Sequence, residues 1–164
     1  MTIRFGILTL SDRSSRGERA DTSGPALADL IQARGWSVIH QSLLPDDESS
    51  IRQLLISWAD SGEMDVILTT GGSGFSPRDV TPEATRAVID REAPGLAEAM
   101  RAASLQVTPH AMLSRIVTGI RKKTLIVNLP GSPKGAVENL QVITAVLPHA
   151  VQLLNEDPAS ESTH

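Results

Sequence analysis

The stretch from Met64 to Thr85, MDVILTTGGSGFSPRDVTPEAT, constrains this chain more than any other. Met64 to Leu68 is a short, β-branched-rich run without helical period, which reads as a buried strand. It empties into Gly71, Gly72, Ser73 and Gly74, where the missing Cβ lets backbone amides approach an anion and positive φ costs little. Thr81-Pro82 then reads as an N-cap followed by proline at the first helical position, which brings the positive end of a helix dipole nearby. A loop at the carboxyl end of a strand in an open α/β sheet is where ligands bind. The loop lacks the Lys-Ser/Thr ending of a P-loop and the spacing of the dinucleotide fingerprint. A flexible connector would account for the glycines alone. It would not require Ser76-Pro77-Arg78-Asp79, which sets a cation and a carboxylate beside them.

The remaining chain alternates strands and helices. Strands are expected over Arg4–Leu10 and Trp36–Leu44, with a helix over Pro25–Arg34 between them, because Leu27, Leu30 and Ile31 share one helical face. Glu48–Ser61 repeats that period and ends at Gly62. Two helices, Pro82–Arg91 and Pro94–Leu105, follow the glycine loop. Arg115–Gly119 and Thr124–Leu129 read as a hairpin around Ile120-Arg121-Lys122-Lys123, which puts one antiparallel strand into a mostly parallel sheet. Pro133–Glu156 is a long last helix that Pro148 is expected to bend or split. The order predicts an α/β fold, a three-layer α/β/α sandwich. One domain is expected over residues 1–156, with a polar, disordered tail over 157–164.

Composition narrows the function classes. The absence of cysteine excludes disulfides, thiolate nucleophiles and cysteine-held metals, and fits a reducing, cytoplasmic setting. No signal peptide and no membrane-spanning run are expected. A net charge of −4 with two tryptophans, two phenylalanines and no tyrosine argues against nucleic-acid binding, which wants a basic face and stacking platforms. The four histidines have no Hx₃H or acid-paired spacing that would mark a metal site.

Thr69-Thr70-Gly71-Gly72-Ser73-Gly74 and Pro77-Arg78-Asp79-Val80-Thr81-Pro82-Glu83-Ala84-Thr85 resemble the molybdopterin adenylyltransferases of molybdenum-cofactor synthesis. This is the MoaB/Mog family, which includes the G domains of the plant cofactor protein and of gephyrin. Three further blocks fit in order: Leu10-Ser11-Asp12-Arg13, Pro45-Asp46-Asp47 and Asn128-Leu129-Pro130-Gly131-Ser132-Pro133. Together they cover nearly the whole chain. Ser73 stands where family members often carry threonine, which keeps the hydroxyl.

The resemblance implies the same sandwich fold and adenylyl transfer from ATP to the terminal phosphate of molybdopterin, with Mg2+. It implies that Asp46 and Asp79 are the catalytic and metal-holding carboxylates. Gly71, Gly72, Ser73 and Gly74 with Asn128, Pro130, Gly131 and Ser132 would bind the nucleotide. Ser11, Asp12, Arg13, Arg78 and Ser114 would bind the pterin substrate. A homotrimer and transient contact with a molybdate-insertion protein are implied too. Each residue also has an ordinary structural reading: Asp46 and Asp47 as N-cap and first-turn carboxylates, Asp79 as decoration of a helix start, and Ser114 as a serine at the start of a strand. Carboxylates beside a triphosphate repel it unless a divalent cation intervenes, and magnesium prefers oxygen ligands and retained water. Two other readings stay open at this point. One is a catalytically silent, pterin-binding paralogue or assembly module; the other is a hydrolase of nucleotide-like cofactors on a related fold.

Overall fold

The structure, a computed structural model, describes residues 1–163. Among them the chain forms β1 (Arg4–Leu10), α1 (Asp12–Ser15), α2 (Ser23–Ala33), β2 (Ser37–Leu44), α3 (Glu48–Ser61) and β3 (Val66–Thr70). It continues through α4 (Thr81–Val88), β4 (Arg91–Glu92), α5 (Pro94–Leu105), β5 (Thr118–Arg121), β6 (Thr124–Leu129), α6 (Pro133–Ile143) and α7 (Leu147–Leu154). Short 3₁₀ segments occupy Pro109–Leu113 and Pro158–Thr163.

The six strands form one sheet in the order β2-β1-β3-β6-β5-β4. β5 runs antiparallel to both of its neighbours, and β1, β2, β3 and β6 pair in parallel. The predicted mostly parallel sheet with one antiparallel strand is therefore what forms. Successive side chains of a strand point to opposite faces, and the sequence uses that alternation to build two cores. Phe5, Ile7, Val66, Leu68, Leu125 and Val127 meet α2, α5, α6 and α7 on one side. Leu8, Leu10, Ile67 and Ile126 meet α3 and α4 on the other. Covering both faces buries all of β3 and β6, which is why residues 66–68 and 125–127 are apolar without alternation.

Local differences from the sequence expectation have identifiable causes. The penultimate strand starts at Thr118 rather than Arg115 because Asn128 Oδ1 accepts the Val117 N–H at 3.1 Å, interrupting the ladder there. Helix α4 stops at Val88; Ile89 turns extended, and Asp90 N donates to Ile120 O at 2.7 Å, starting the short edge strand β4. Pro148 splits the last helix, standing in the first turn of α7. In the tail, Ser160 is buried, and His164 lies outside the described residues.

Candidate functional site

Chain direction reverses about β1: the connection from β1 leads to β2 on one side, and β3 then returns to the other. The crevice outside the carboxyl ends of β1 and β3 is the topological switch point at which such sheets take ligands. A cavity of about 930 Å³ opens there, walled by the ends of β1 and β3 and by the turn after β6. A second cavity, of about 440 Å³, lies between that turn, α5 and the 3₁₀ segment at Pro109–Leu113. Gly72, Asp79, Gly131 and Ser132 line both, so the cavities meet at these four residues.

The first wall follows β1. Ser11 Oγ accepts the Ser14 N–H at 3.1 Å and starts the single turn of α1. Asp12 and Asp46 then hold each other through the backbone: Asp12 N donates to Asp46 Oδ2 at 3.1 Å, and Asp46 N donates to Asp12 Oδ1 at 2.9 Å. Arg78 reaches across from the glycine loop and grips both oxygens of Asp12, at 2.9 and 3.1 Å. That guanidinium holds the Asp12 carboxyl below the usual carboxylate range. Burial pushes the Asp46 carboxyl up; the charges of Asp12 and Asp79 add to this, while the Asp12 amide and Arg78 oppose it.

The ambiguity between Asp46 and Asp47 is resolved by geometry. Asp47 is the N-cap of α3, its Oδ2 accepting the Ser50 N–H at 2.9 Å. Asp46 faces the larger cavity instead. Its Oδ1 is buried and takes no hydrogen bond among the described residues. A buried carboxylate oxygen left bare among other acids calls for a cation. No three His, Asp or Glu side chains form a ready-made cage among the described residues. Magnesium needs none, because it keeps several waters and binds through one or two carboxylates plus substrate phosphates. The donor set fits that ion.

The second wall is the glycine loop. Gly71 and Gly72 adopt φ of 102° and 66°. Their carbonyls turn to Thr81, whose Oγ1 donates to Gly71 O at 3.0 Å and whose N donates to Gly72 O at 3.1 Å. The expected N-cap role of Thr81 is thus replaced: Val80 occupies that position, and the threonine hydroxyl clamps the loop. Asp79 Oδ2 accepts the N–H groups of Gly74 and Ser76 at 3.0 and 3.1 Å.

The third wall is the turn after β6. Thr70 Oγ1 donates to Pro130 O at 2.7 Å, and Ser23 Oγ donates to Gly131 O at 2.6 Å. In a trans peptide the N–H points opposite to the C=O, so anchoring these two carbonyls directs the Gly131 and Ser132 amides away from the anchors. Ser132 Oγ also caps α6, accepting the Gly135 N–H at 3.0 Å.

Most of the expected site residues converge on the two cavities. Ser11, Asp12, Arg13, Arg78, Gly71 and Gly72 lie on the larger one, while Ser73, Gly74, Pro130 and Ser114 lie on the smaller. The residues expected to hold the pterin are therefore divided, Ser114 standing apart from the other four. Asn128 is the exception to the convergence. It is fully buried, and its amide nitrogen donates to Thr69 Oγ1 and Thr85 Oγ1 at 3.0 and 2.9 Å. Its side chain supports the cleft from below, in place of the expected nucleotide contact. Asn128→Ala is expected to cost about 2 kcal/mol by leaving buried hydroxyls and the Val117 amide unpaired, with ATP affinity retained; chemical denaturation and calorimetry check both. Sequence reasoning missed Asp21, Ser23, Thr70 and Arg115. For Asp21 a signal existed, since an acid two residues ahead of Ser23-Gly24 suits a helix start, and its Oδ1 accepts both of those amides at 3.1 Å.

Residues 6–149 match the family model described as a "probable molybdopterin binding domain". The chain is 46% identical to the Drosophila melanogaster molybdenum cofactor synthesis protein cinnamon over 95% of its own length, and it spans about a quarter, 26%, of that relative. It is 40% identical to the molybdopterin adenylyltransferase of Helicobacter pylori strain J99, covering 93% of this chain and 88% of that one. Among solved structures, the molybdopterin biosynthesis enzyme MoaB of Thermus thermophilus superposes with a TM-score of 0.89 at 51% identity, over 96% of this chain and 99% of the other. By the extent of the family match and by these relatives, the chain belongs to the molybdopterin-binding domain family of molybdenum-cofactor biosynthesis.

Proposed function

We propose that this chain is a molybdopterin adenylyltransferase, transferring AMP from Mg-ATP to the terminal phosphate of molybdopterin with release of pyrophosphate. The observation that carries this reading is the junction of two cavities at Gly72, Asp79, Gly131 and Ser132. Two phosphorylated ligands, one in each, would bring their phosphates together beside the carboxylates. The larger cavity, rimmed by Arg13, Arg16, Arg19 and Arg78, suits the triphosphate; the smaller, with Val107, Ala111 and Leu113 beside Ser114, suits a flat heterocycle.

The pterin phosphate is already ionised near neutral pH, so no side chain has to remove a proton. One of its oxygens attacks the α-phosphorus of ATP. The bond from that phosphorus to the β-bridging oxygen breaks, and the electron pair leaves on pyrophosphate. The work of the residues is in-line positioning and stabilisation of charge. The amides of Gly72, Gly131 and Ser132 hold phosphate oxygens, and the arginine rim draws the polyanion in. Asp46 and Asp79 are the carboxylates that would hold the magnesium ion. When bound, that ion supplies the positive charge that lets two carboxylates share the site with a triphosphate.

Incubation of the purified chain with molybdopterin and Mg-ATP is expected to yield adenylylated pterin and pyrophosphate in equal amounts. Folded protein that forms no adenylylated pterin would reject the assignment. The same reading includes a cytoplasmic setting, transient contact with a molybdate-insertion protein, and a closed homotrimer with each cleft built from one chain. On α5, Ala97 and Met100 are spent on the core, whereas Ala102 and Leu105 are exposed and available to a neighbour. Light scattering should give three times the chain mass, and a mass near 17.5 kDa would reject the trimer.

A further inference from the structure

The segment between Gly74 and Asp79 leaves the sheet entirely. Phe75, Ser76, Pro77 and Arg78 are all exposed, and no strand or helix includes them. Yet this excursion carries Asp79 to the junction of the two cavities. On its inner side it is closed by the Asp79 carboxylate, which takes the Gly74 and Ser76 amides. Besides the Arg78–Asp12 pair, its two ends are held by one further residue from a distant part of the chain.

That residue is Arg115. Its Nε donates to Gly74 O at 2.7 Å and its Nη2 donates to Asp79 O at 2.9 Å, so a single planar group fixes both ends of the excursion. Its Nη1 pairs with Glu83 Oε2 at 2.7 Å, tying the same plane to the first turn of α4. Its backbone N donates to Ser73 O at 2.8 Å. The backbone around Arg115 is itself fastened: Arg101 of α5 donates to Ser114 O and Ile116 O, both at 3.2 Å. A rigid fork with several donors makes this arrangement possible, and an ammonium of equal charge cannot reproduce it.

We propose that Arg115 is a positioning residue for the transfer reaction, setting the Asp79 carboxylate by clamping the Gly74–Asp79 excursion from outside. The inference rests on the adenylyltransfer reading for its catalytic consequence, and on the hydrogen bonds alone for the clamping. Misplacement of a reacting group by about 1 Å is enough to cost on the order of 10²-fold in rate.

Arg115→Lys is the direct test. It should lower kcat by at least about tenfold while KM for ATP changes far less, because Arg13, Arg16 and Arg19 of the larger cavity's rim are untouched and Arg78 keeps its two bonds to Asp12. Hydrogen exchange at the Gly74 and Ser76 amides should accelerate, with exchange in β3 and β6 unchanged. If the lysine variant does not fold, Glu83→Ala serves: it keeps both carbonyl bonds but removes the acceptor that ties the guanidinium to α4, and the same two amides should exchange faster, to a smaller extent. Exchange at Gly74 and Ser76 equal to wild type would overturn the proposal, as would a folded lysine variant with wild-type kcat. If the wild-type chain forms no adenylylated pterin, the functional reading fails by itself, and the exchange measurement still decides whether Arg115 clamps the loop.

Discussion

Asp79→Asn and Asp46→Asn are each expected to lower adenylyl transfer by about 10²–10³-fold, the size of effect seen when one preorganised electrostatic contact is removed from a site. The two should differ in stability. Asparagine at position 79 keeps a carbonyl oxygen to accept the Gly74 and Ser76 amides, so the excursion closes and melting stays near wild type. At position 46 the substitution removes a charge that burial and the neighbouring Asp12 and Asp79 oppose, while leaving an acceptor for the Asp12 amide. With magnesium chelated, Asp46→Asn should therefore melt at or above the wild-type temperature. A cap residue would behave in the opposite way, losing about 1 kcal/mol while keeping its activity; that is the outcome expected of Asp47→Ala, which loses the bond to the Ser50 amide. Folded asparagine variants with near-wild-type turnover would remove both aspartates from the mechanism.

The contrast between Asp46 and Asp47 also marks the limit of what the sequence discloses. Both precede a helix by one or two positions, both are acids after a proline, and local pattern cannot say which one caps. The choice depends on Asp12, which lies 34 residues earlier and reaches Asp46 by reciprocal backbone bonds. Where information is local, the sequence is legible. Unbroken apolar runs at residues 66–68 in β3 and 125–127 in β6 specify a sheet covered on both faces, and the glycine and proline punctuation places the cleft at the strand ends. Where a role depends on a partner far along the chain, local pattern does not reveal it. Ser23 anchors Gly131 across 108 positions, and Arg115 holds Gly74 across 41, with nothing around either to mark them. Asn128 departs from its expected role for a related reason. It sits in a block of loop-like residues, but its register opposite Thr69 in β3 and the interrupted ladder at Val117 turn its amide into the interior.

Gly71→Ala is expected to be the most destabilising single-methyl change in the chain, at about 3 kcal/mol or more. Two costs coincide there. The backbone holds φ of 102°, outside the regions open to a residue with a Cβ. An added Cβ would also overlap the carbonyl oxygen of Leu10, which is backbone at the end of β1 and is fixed between β2 and β3. Neither cost can be relieved by turning a side chain. Gly95→Ala provides the contrast, since its Cβ would meet open space inside α5, and it should be neutral or stabilising by up to about 1 kcal/mol. The crowding at Gly71 comes from three converging strand ends. Gly71 N donates to Leu129 O at 3.3 Å, and a Cβ on Gly131 would lie 3.3 Å from the Gly71 Cα, so the ends of β1, β3 and β6 all close on this one residue. In the adenylyl-transfer reading, that closeness would let amides from two separate loops face one phosphate. A Gly71→Ala protein with wild-type melting would show that the three strand ends can spread apart, and the tight junction would then lose its claim to be what brings the two cavities together.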